Sequence, residues 1–291
     1  MHTLVIGAGF SGSRIALLAR ECGTVSATRR NKESLHALQQ NGISSFVLDG
    51  ALDEVLREEL RRATHLIICV PPERQAPLRD PVHDLLAGLH REDIPSLVWI
   101  AYLSTIGVYG DHAGAWVDED SECLSVQPRS QMRRAAEVAW QSFADLMHIP
   151  LCILRLSGIY GPGRNALEDA IKGKARLLIK PGQVFNRIHV DDIAQATLLA
   201  ARLHYAGIVN ITDDLPAPPQ DVVRFAHNLV NKPCPPEQEF ATADLSDMAR
   251  SFYSENKRVS NKRSKLHLQM TYQHPNYESG LEALLKLTMN D

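Results

Sequence analysis

The stretch LVIGAGFSGSRIALLAREC, residues 4–22 of this 291-residue chain, decides the expected fold. An apolar run is followed by a turn and an amphipathic helical pattern, and the turn carries three glycines: Gly7, Gly9 and Gly12. At this spacing the first glycine permits a tight turn, the second lets the backbone approach a pyrophosphate and the third lets the helix pack closely on the strand. The N-terminus of the helix then faces the phosphates. We therefore predict a dinucleotide-binding turn in which Phe10 and Ser11 also contact the ligand.

The second predicted strand ends in SATRRN, residues 26–31, and this ending favours a phosphorylated cofactor. A fold that prefers NAD usually ends this strand with a carboxylate, which binds the adenosine ribose. Here Thr28, Arg29 and Arg30 offer hydroxyl and guanidinium donors, which suit a 2′-phosphate. We therefore expect NADP in preference to NAD. The alternative is that the two arginines are only solvated on a surface loop.

Two later strand ends supply further candidate cofactor contacts. Asp49 closes SSFVLD, where its carboxylate could accept a hydrogen bond from the adenine amino group or serve only as a turn or helix cap. Val70 closes HLIICV and Pro71 follows it. We include both in the predicted cofactor site.

The pattern of strands and helices predicts the architecture of the whole chain. Short β-rich runs alternate with helical segments over residues 1–157, and these runs are TLVIGA, TVSAT, SSFVLD, HLIICV, SLVWIAYLS and LCILRLS. Strands that are buried on both faces and joined by crossover helices form a parallel sheet. We predict an α/β fold, a Rossmann-type doubly wound parallel sheet. Residues 158–291 should form a smaller α+β substrate-binding lobe, with strand and helix segments that return to the first domain.

Composition excludes several classes of protein. A formal net charge of -3 does not favour a nucleic-acid partner, which normally requires a strong basic excess. Five cysteines without a CxxC pair favour neither a disulfide framework nor a zinc site, and we predict no metal. No apolar run approaches the roughly 20 residues that cross a membrane, and no basic leader precedes the first glycines. We expect a cytoplasmic protein, either a monomer or a homodimer.

Several motifs resemble the extended short-chain dehydrogenase/reductase superfamily, in its NAD-dependent, nucleotide-sugar epimerase/dehydratase branch. They run from one end of the chain to the other: GAGFSG (7–12), LSTIGVYG (103–110), LRLSGIYGPGRN (154–165), RIHVDDIAQA (187–196) and PNYESGLEALL (275–285). The resemblance implies that the first half binds NAD(P) and that the second half closes over the substrate.

The same resemblance shows where the chain departs from the family. Family members use a Tyr-x-x-x-Lys pair and a Ser or Thr on the preceding strand. Thr105 occupies the Ser/Thr position, but counting back from Glu137 places Arg133 at the lysine and Arg129 at the tyrosine. Arg133 can still supply positive charge near the nicotinamide ribose. Arg129 stays protonated up to about pH 12 and can therefore bind or polarise a substrate but cannot transfer a proton. The alternative places these arginines on the outer face of the helix.

Other residues complete the predicted site. Tyr109 in GVYG is the candidate proton donor, with a pKa lowered by Arg133, although a packing role is the alternative. The resemblance places Asn186 and Arg187 where family members contact the phosphate-bearing end of the substrate, and Arg164 and Asn165 would line the same cleft. We include Tyr160 among the substrate-binding residues, with a packing role as the alternative. Together they indicate an anionic small molecule, for which a nucleotide sugar is the family's example.

Two functions remain open from the sequence. The first is an atypical oxidoreductase or epimerase-like enzyme, because positioning and charge stabilisation contribute much of catalysis even without the tyrosine. The second is a catalytically impaired NADP-binding sensor or regulatory protein, which the loss of both family residues favours. A serine hydrolase is not favoured, since LSTIGVYG lacks the G-x-S-x-G elbow.

Overall fold

The computed structural model of the chain describes residues 1–73 and 80–288. Its strands are β1 (His2–Ile6), β2 (Thr24–Arg29), β3 (Ser44–Val47), β4 (His65–Ile68), β5 (Trp99–Thr105), β6 (Trp116–Val117), β7 (Leu151–Leu156), β8 (Gly158–Tyr160), β9 (Leu177–Ile179), β10 (Arg187–His189), β11 (Gly207–Ile211), β12 (Glu237–Glu239) and β13 (Arg258–Val259). Its helices are α1 (Phe10–Ala19), α2 (His36–Gln40), α3 (Glu54–Arg62), α4 (Pro81–Leu86), α5 (Pro128–Met147), α6 (Ala166–Ile171), α7 (Val190–Arg202), α8 (Pro219–Leu229), α9 (Asp247–Tyr253), α10 (Lys262–His267) and α11 (Tyr277–Thr288).

A seven-stranded sheet with the order β11-β7-β5-β4-β1-β2-β3 forms the centre of the protein. Every neighbouring pair in this sheet is parallel. The chain winds outward from β1 to β3 on one side and from β4 to β11 on the other, so the sheet is doubly wound. This is the Rossmann-type fold that the strand pattern predicted. The order reverses between β1 and β4, where an open α/β sheet leaves a crevice at the carboxyl ends of its strands.

Two apolar layers cover the faces of the sheet, because successive side chains of a strand point to opposite sides. On one face, Val5 and Ile67 pack with residues of α1 and α7. On the other face, Leu4 and Leu66 pack with residues of α3 and α5, among them Trp140. Each fully buried side chain of this kind contributes roughly 1.5–3 kcal/mol. The sheet therefore holds α1 and α5, the helices that border the candidate site, in fixed positions.

A C-terminal lobe lies beyond the carboxyl ends of the strands. It consists of the strand pairs β8/β10 and β9/β12 and the helices α6, α8, α9 and α11. Its own apolar cluster joins Leu167, Val222 and Leu281. α7 and β11 come after residue 157 in the chain but belong to the sheet layer. Within the described residues, no helix combines the length and apolarity needed to cross a membrane.

Candidate functional site

The glycine turn after β1 has the geometry that its spacing predicts. Gly7 has a φ of +91°, and a Cβ there would lie 2.5 Å from Val70 Cγ2. A Cβ at Gly12 would lie 2.4 Å from the carbonyl oxygen of Gly7, so α1 packs directly on the turn. At Gly9 the same Cβ would have no heavy atom of the described residues within 4 Å, apart from its chain neighbours. The turn is therefore closed behind Gly7 and Gly12 and open at Gly9, which fits a dinucleotide pyrophosphate.

Thr28 supports this turn from behind. Its hydroxyl accepts a hydrogen bond from the Gly7 N–H at 3.0 Å, and its carbonyl accepts one from the Ala8 N–H at 2.8 Å. Thr28 is only 1% exposed. The prediction that Thr28 contacts the cofactor is therefore wrong, because its hydroxyl and its carbonyl are both engaged with the backbone of the turn and the residue is almost fully covered.

Arg29 lies beside the first turns of α1. One terminal nitrogen donates to Ser13 Oγ at 2.8 Å, and Ser13 Oγ donates in turn to the Ala8 carbonyl at 2.7 Å. The Arg29 Nε is buried and has no hydrogen-bond partner among the described residues. An unsatisfied buried donor costs roughly 1–3 kcal/mol, which an anionic ligand would offset. Arg30 is exposed. This arrangement fits a phosphate near Arg29.

The other predicted cofactor residues have different surroundings. Asp49 is exposed, and its Oδ1 accepts a hydrogen bond from the Ala51 N–H at 3.3 Å, as in a local turn. Val70 packs against Gly7, whereas Pro71 lines the cavity described below. Ser11 is half-buried in the first turn of α1.

A cavity of about 680 Å³ lies between the carboxyl ends of the strands and the C-terminal lobe. This volume lies within the range of small-molecule sites. Cationic side chains outnumber acidic ones in its described lining, and they are Arg129, Arg133, Arg164, Arg187 and Lys257. The carboxylates of the described lining are Glu73 and Glu255. The excess of positive charge favours an anionic ligand.

The first two turns of α5 present two arginines to this cavity. Arg129 is exposed, and its guanidinium carbon lies 4.1 Å from the ring centre of Phe252 in α9. Arg133 donates to the Leu103 carbonyl at 2.9 Å and to the Tyr102 hydroxyl at 3.3 Å, at the end of β5. Both arginines line the cavity, so the alternative of an outer helix face does not describe them.

Tyr109 lies behind the cavity wall. It is 0% exposed and is absent from the described cavity lining, and its hydroxyl donates to Asn210 Oδ1 at 2.8 Å. Burial raises the pKa of Tyr109 to about 12, although the Arg155 guanidinium, 4.9 Å from its ring centre, acts in the opposite direction. The prediction that Tyr109 is a proton donor with a lowered pKa is therefore wrong, and the packing alternative describes it.

A buried ion pair holds α5 on the sheet, and the sequence analysis missed it. Glu137 is 0% exposed and accepts hydrogen bonds from Arg155 Nε at 3.0 Å and Nη2 at 2.8 Å. It also accepts from Ser104 Oγ at 2.5 Å and from Arg134 Nη1 at 3.0 Å. In the sheet register, Arg155 pairs with Ser104 on one side and Asn210 on the other. The arginine within the otherwise apolar strand LCILRLS was the available signal.

Two hydroxyls lie close together in the cavity wall. Thr105 Oγ1 accepts a hydrogen bond from the Gly107 N–H at 3.1 Å. Ser130, which the sequence analysis also missed, is only 4% exposed but lines the cavity. A Cβ at Gly107 would lie 2.9 Å from Ser130 Oγ and 3.3 Å from Thr105 Oγ1. The absence of a side chain at Gly107 therefore leaves room for both hydroxyls.

The C-terminal lobe contributes a second pair of charged residues that no sequence pattern indicated. Lys257 Nζ donates to the Gly110 carbonyl at 2.6 Å and to Glu255 Oε2 at 2.9 Å. Ser125 Oγ donates to the other oxygen of Glu255 at 2.8 Å. Lys257 and Glu255 both line the cavity and join the lobe to the segment that precedes α5.

The predicted substrate residues separate into two groups, and three of them serve the protein itself. Asn165 caps α6 by accepting from the Glu168 N–H at 3.0 Å, and it is absent from the described cavity lining. Asn186 lines the cavity, but its amide donates to the Lys257 carbonyl and accepts from the Val259 N–H. Tyr160 also lines the cavity, and its hydroxyl donates to the Asn276 carbonyl at 3.3 Å. Burial raises the pKa of Tyr160 well above its ordinary value.

The two arginines of that set keep donors for a ligand. Arg187 Nη1 donates to the carbonyls of Phe185 and Ala217, and burial lowers the pKa of Arg187 from its ordinary value. Arg164 is exposed, and its guanidinium carbon lies 5.6 Å from the ring centre of Phe10. Both line the cavity.

One cluster within the described residues has the composition of a metal site: His189, Asp191 and His274. The Nδ1 of His189 already accepts a hydrogen bond from the Asp191 N–H at 3.2 Å, and the Asp191 carboxylate pairs with Arg14. Burial is the main cause that lowers the pKa of His189 to about 4. Because His189 Nδ1 and the Asp191 carboxylate are already engaged, we assign no metal to this cluster.

The strand order, the open glycine turn and the cavity at the carboxyl ends of β4, β5 and β7 define the class of Rossmann-type dinucleotide-binding proteins. A family model described as the NAD dependent epimerase/dehydratase family matches residues 82–212. The chain belongs to this family, which depends on nicotinamide dinucleotides.

Solved structures are similar to the chain over almost its whole length. A functionally unknown conserved protein from Silicibacter pomeroyi is 40% identical, with a TM-score of 0.90 over 98% of each chain. UDP-glucuronic acid 4-epimerase from Bacillus cereus, in complex with UDP-glucuronic acid and NAD, is 19% identical, with a TM-score of 0.77 over 100% of this chain and 99% of the other. dTDP-glucose 4,6-dehydratase from Bacillus anthracis, in complex with NAD, is 17% identical, with a TM-score of 0.76 over 100% and 97%. At these lower identities, the last two show the fold alone. No curated protein sequence matches the chain.

Proposed function

We propose that this protein binds NADP together with an anionic small molecule, as an atypical oxidoreductase or epimerase-like enzyme of its family. The observation that carries the proposal is the cavity, which borders the strand ends and whose described lining holds five cationic side chains and two carboxylates. When bound, the dinucleotide supplies or accepts a hydride at the nicotinamide. The protein's own contribution is to bind, orient and stabilise charge.

The preference for NADP rests on Arg29. Its buried Nε lacks an acceptor among the described residues, and its guanidinium lies beside α1 near the open glycine turn. A 2′-phosphate would supply that acceptor and pair with the charge, whereas a ribose hydroxyl would not. Arg30 is exposed and free to contribute to the same phosphate.

The proposed ligand in the cavity is a nucleotide sugar. The Bacillus cereus epimerase holds UDP-glucuronic acid within the same fold. The phosphates of such a molecule, and a sugar carboxylate where present, suit Arg129 and Arg187 as charged partners. We assign substrate binding to the C-terminal lobe, which includes most of residues 158–291. α7 and β11, within the same range, belong to the sheet instead.

Proton transfer has to use groups other than the family pair. Guanidinium groups at 129 and 133 do not exchange protons near neutral pH. The hydroxyls of Thr105 and Ser130 and the carboxylate of Glu255 are cavity groups that can hold or relay a proton. We propose that Thr105 and Ser130 bind the reacting oxygen and that Arg133 keeps positive charge beside it.

A sensor or regulatory protein is the second candidate. Two observations favour it. Arginines stand at the positions assigned to the family's tyrosine and lysine, and Tyr109 is buried behind the wall of the cavity. Such a protein would bind both ligands without turnover.

Calorimetry with NADP⁺ and NAD⁺ tests the cofactor. The wild type should bind NADP⁺ more tightly. Arg29→Gln should weaken NADP⁺ by about 10- to 100-fold, as expected for a hydrogen bond to a charged group, and leave NAD⁺ unchanged. Arg224→Gln, at an exposed arginine of α8 that pairs with Glu237, is the control and should change neither. Folded protein that gives no heat with either dinucleotide would disprove the proposal.

Absorbance separates the enzyme from the sensor. Protein that binds NADPH is mixed with a panel of nucleotide sugars and small carbonyl compounds, and the near-ultraviolet band of the reduced nicotinamide is followed. Oxidation that is lost in Ser130→Ala and in Thr105→Val would support the enzyme. Product analysis with NADP⁺ covers epimerisation, which leaves no net change in absorbance. Binding of both ligands with neither signal would instead support the sensor.

A further inference from the structure

The turn that carries Arg164 is pressed against the start of α1. Gly161 and Arg164 exchange two backbone hydrogen bonds, of 3.0 and 3.1 Å, which fold the GPGR segment into a tight turn. A Cβ at Gly161 would lie 3.3 Å from Phe10 Cζ and 2.7 Å from Val190 Cγ1. Residue 161 therefore has to be small for the C-terminal lobe to come this close to the glycine turn.

This contact brings an arginine close to that turn. The Arg164 guanidinium carbon lies 5.6 Å from the ring centre of Phe10, and Phe10 directly follows Gly9. Arg164 is exposed and lines the cavity, and no carboxylate of residues 1–73 or 80–288 pairs with it. Glu168, the acidic residue nearest to it in sequence, pairs instead with Lys172. The Arg164 guanidinium thus lies near the point at which the Gly9 backbone is open to a pyrophosphate.

We infer that Arg164 binds the pyrophosphate of the dinucleotide and is not a substrate residue as the sequence resemblance implied. This inference rests on the proposed function, since it requires a dinucleotide at the glycine turn. A guanidinium suits the task because its planar donors pair with two phosphate oxygens at once. The turn itself offers backbone donors and the positive end of α1 but no cationic side chain of its own within GAGFSG.

The assignment has a consequence for how the two parts of the protein work together. Arg164 belongs to the C-terminal lobe, whereas the glycine turn belongs to the sheet. A pyrophosphate held by both would tie the lobe to the sheet and keep Arg187, which also lines the cavity, in position for the second ligand. Dinucleotide binding then prepares the cavity for the anionic molecule.

Calorimetry on matched arginine variants tests this inference. NAD⁺ and NADP⁺ share the pyrophosphate and differ in the 2′-phosphate. Arg164→Gln should therefore weaken both by the same factor, about 10- to 100-fold, whereas Arg29→Gln should weaken NADP⁺ alone. Arg250→Gln is the control, because Arg250 is also an exposed lobe arginine that lies over a phenylalanine ring, 5.7 Å from the Phe240 centre, but outside the cavity. It should change neither affinity.

Each outcome decides the matter. Unchanged affinity for both dinucleotides in Arg164→Gln would overturn the inference and leave the proposed function standing. A loss confined to NADP⁺ would also overturn it, since Arg164 would then bind the 2′-phosphate. Wild-type protein that binds neither dinucleotide would overturn the inference together with the proposed function. A melting temperature of Arg164→Gln equal to that of the wild type shows that lost affinity does not come from misfolding.

Discussion

Glu137→Gln measures how firmly α5, and with it Arg129 and Arg133, is held on the sheet. The substitution keeps the shape of the side chain but removes a charge that is 0% exposed and accepts four hydrogen bonds. Arg155, 1% exposed, is then left as a buried cation without its counterion. Breaking a buried pair in this way costs about 3–5 kcal/mol. For a chain of this size the loss corresponds to a fall in melting temperature on the order of 10 °C.

Urea unfolding followed by tryptophan fluorescence, together with thermal melts, measures the effect. Arg134→Gln is the matched control, because Arg134 is an exposed partner of the same carboxylate and should contribute only about 0–1 kcal/mol. Changing both Glu137 and Arg155 to leucine should cost less than the sum of the single changes, because no unpaired charge remains. A Glu137→Gln variant within about 1 kcal/mol of the wild type, or a strictly additive double variant, would refute the reasoning.

Three further predictions test other parts of the structure. Tyr109→Phe removes the hydrogen bond to Asn210 and should lower the unfolding free energy by about 1 kcal/mol in urea titrations. The affinity for the dinucleotide should stay unchanged. A variant that loses this affinity but keeps its full stability would contradict the packing role of Tyr109. Gly12→Ala places a Cβ 2.4 Å from a carbonyl oxygen and should lower the melting temperature. Gly9→Ala should melt like the wild type but lose dinucleotide binding in calorimetry. A lower melting temperature for Gly9→Ala and an unchanged one for Gly12→Ala would be inconsistent with the open turn. Burial lowers the pKa of His65 from 6.5 to about 4, so the unfolded chain takes up the proton first as the pH falls. The free energy of unfolding should therefore fall by up to about 3 kcal/mol as the pH drops from 6.5 to about 4, and it should fall less steeply in His65→Gln. Equal slopes of unfolding free energy against pH for the two proteins would show that His65 is not the cause.

The corrections at Tyr109 and Thr28 share a physical cause. Each residue type was suited to the role expected of it, a phenol for proton transfer and a hydroxyl for a ribose phosphate. Whether a polar side chain meets a ligand depends on what lies on its other side, and Asn210 and Gly7 come from distant parts of the chain. The sequence motif identified these residues, but it did not predict the direction in which their hydroxyls point.

The sequence alone determined the features that depend on local spacing. Three glycines between a strand and a helix specify the turn, because each satisfies a steric need within a few residues. Alternating apolar runs specify the doubly wound parallel sheet, and counting from Glu137 predicts arginines at the positions of the family pair. Tertiary structure alone decided that Arg129 and Arg133 face the cavity, that Glu255 and Lys257 join them, and that Arg164 reaches Phe10. The hydrogen bonds from Ser125 to Glu255 and from Lys257 to Gly110 join segments more than 100 residues apart. Such contacts form only when the lobe packs on the sheet.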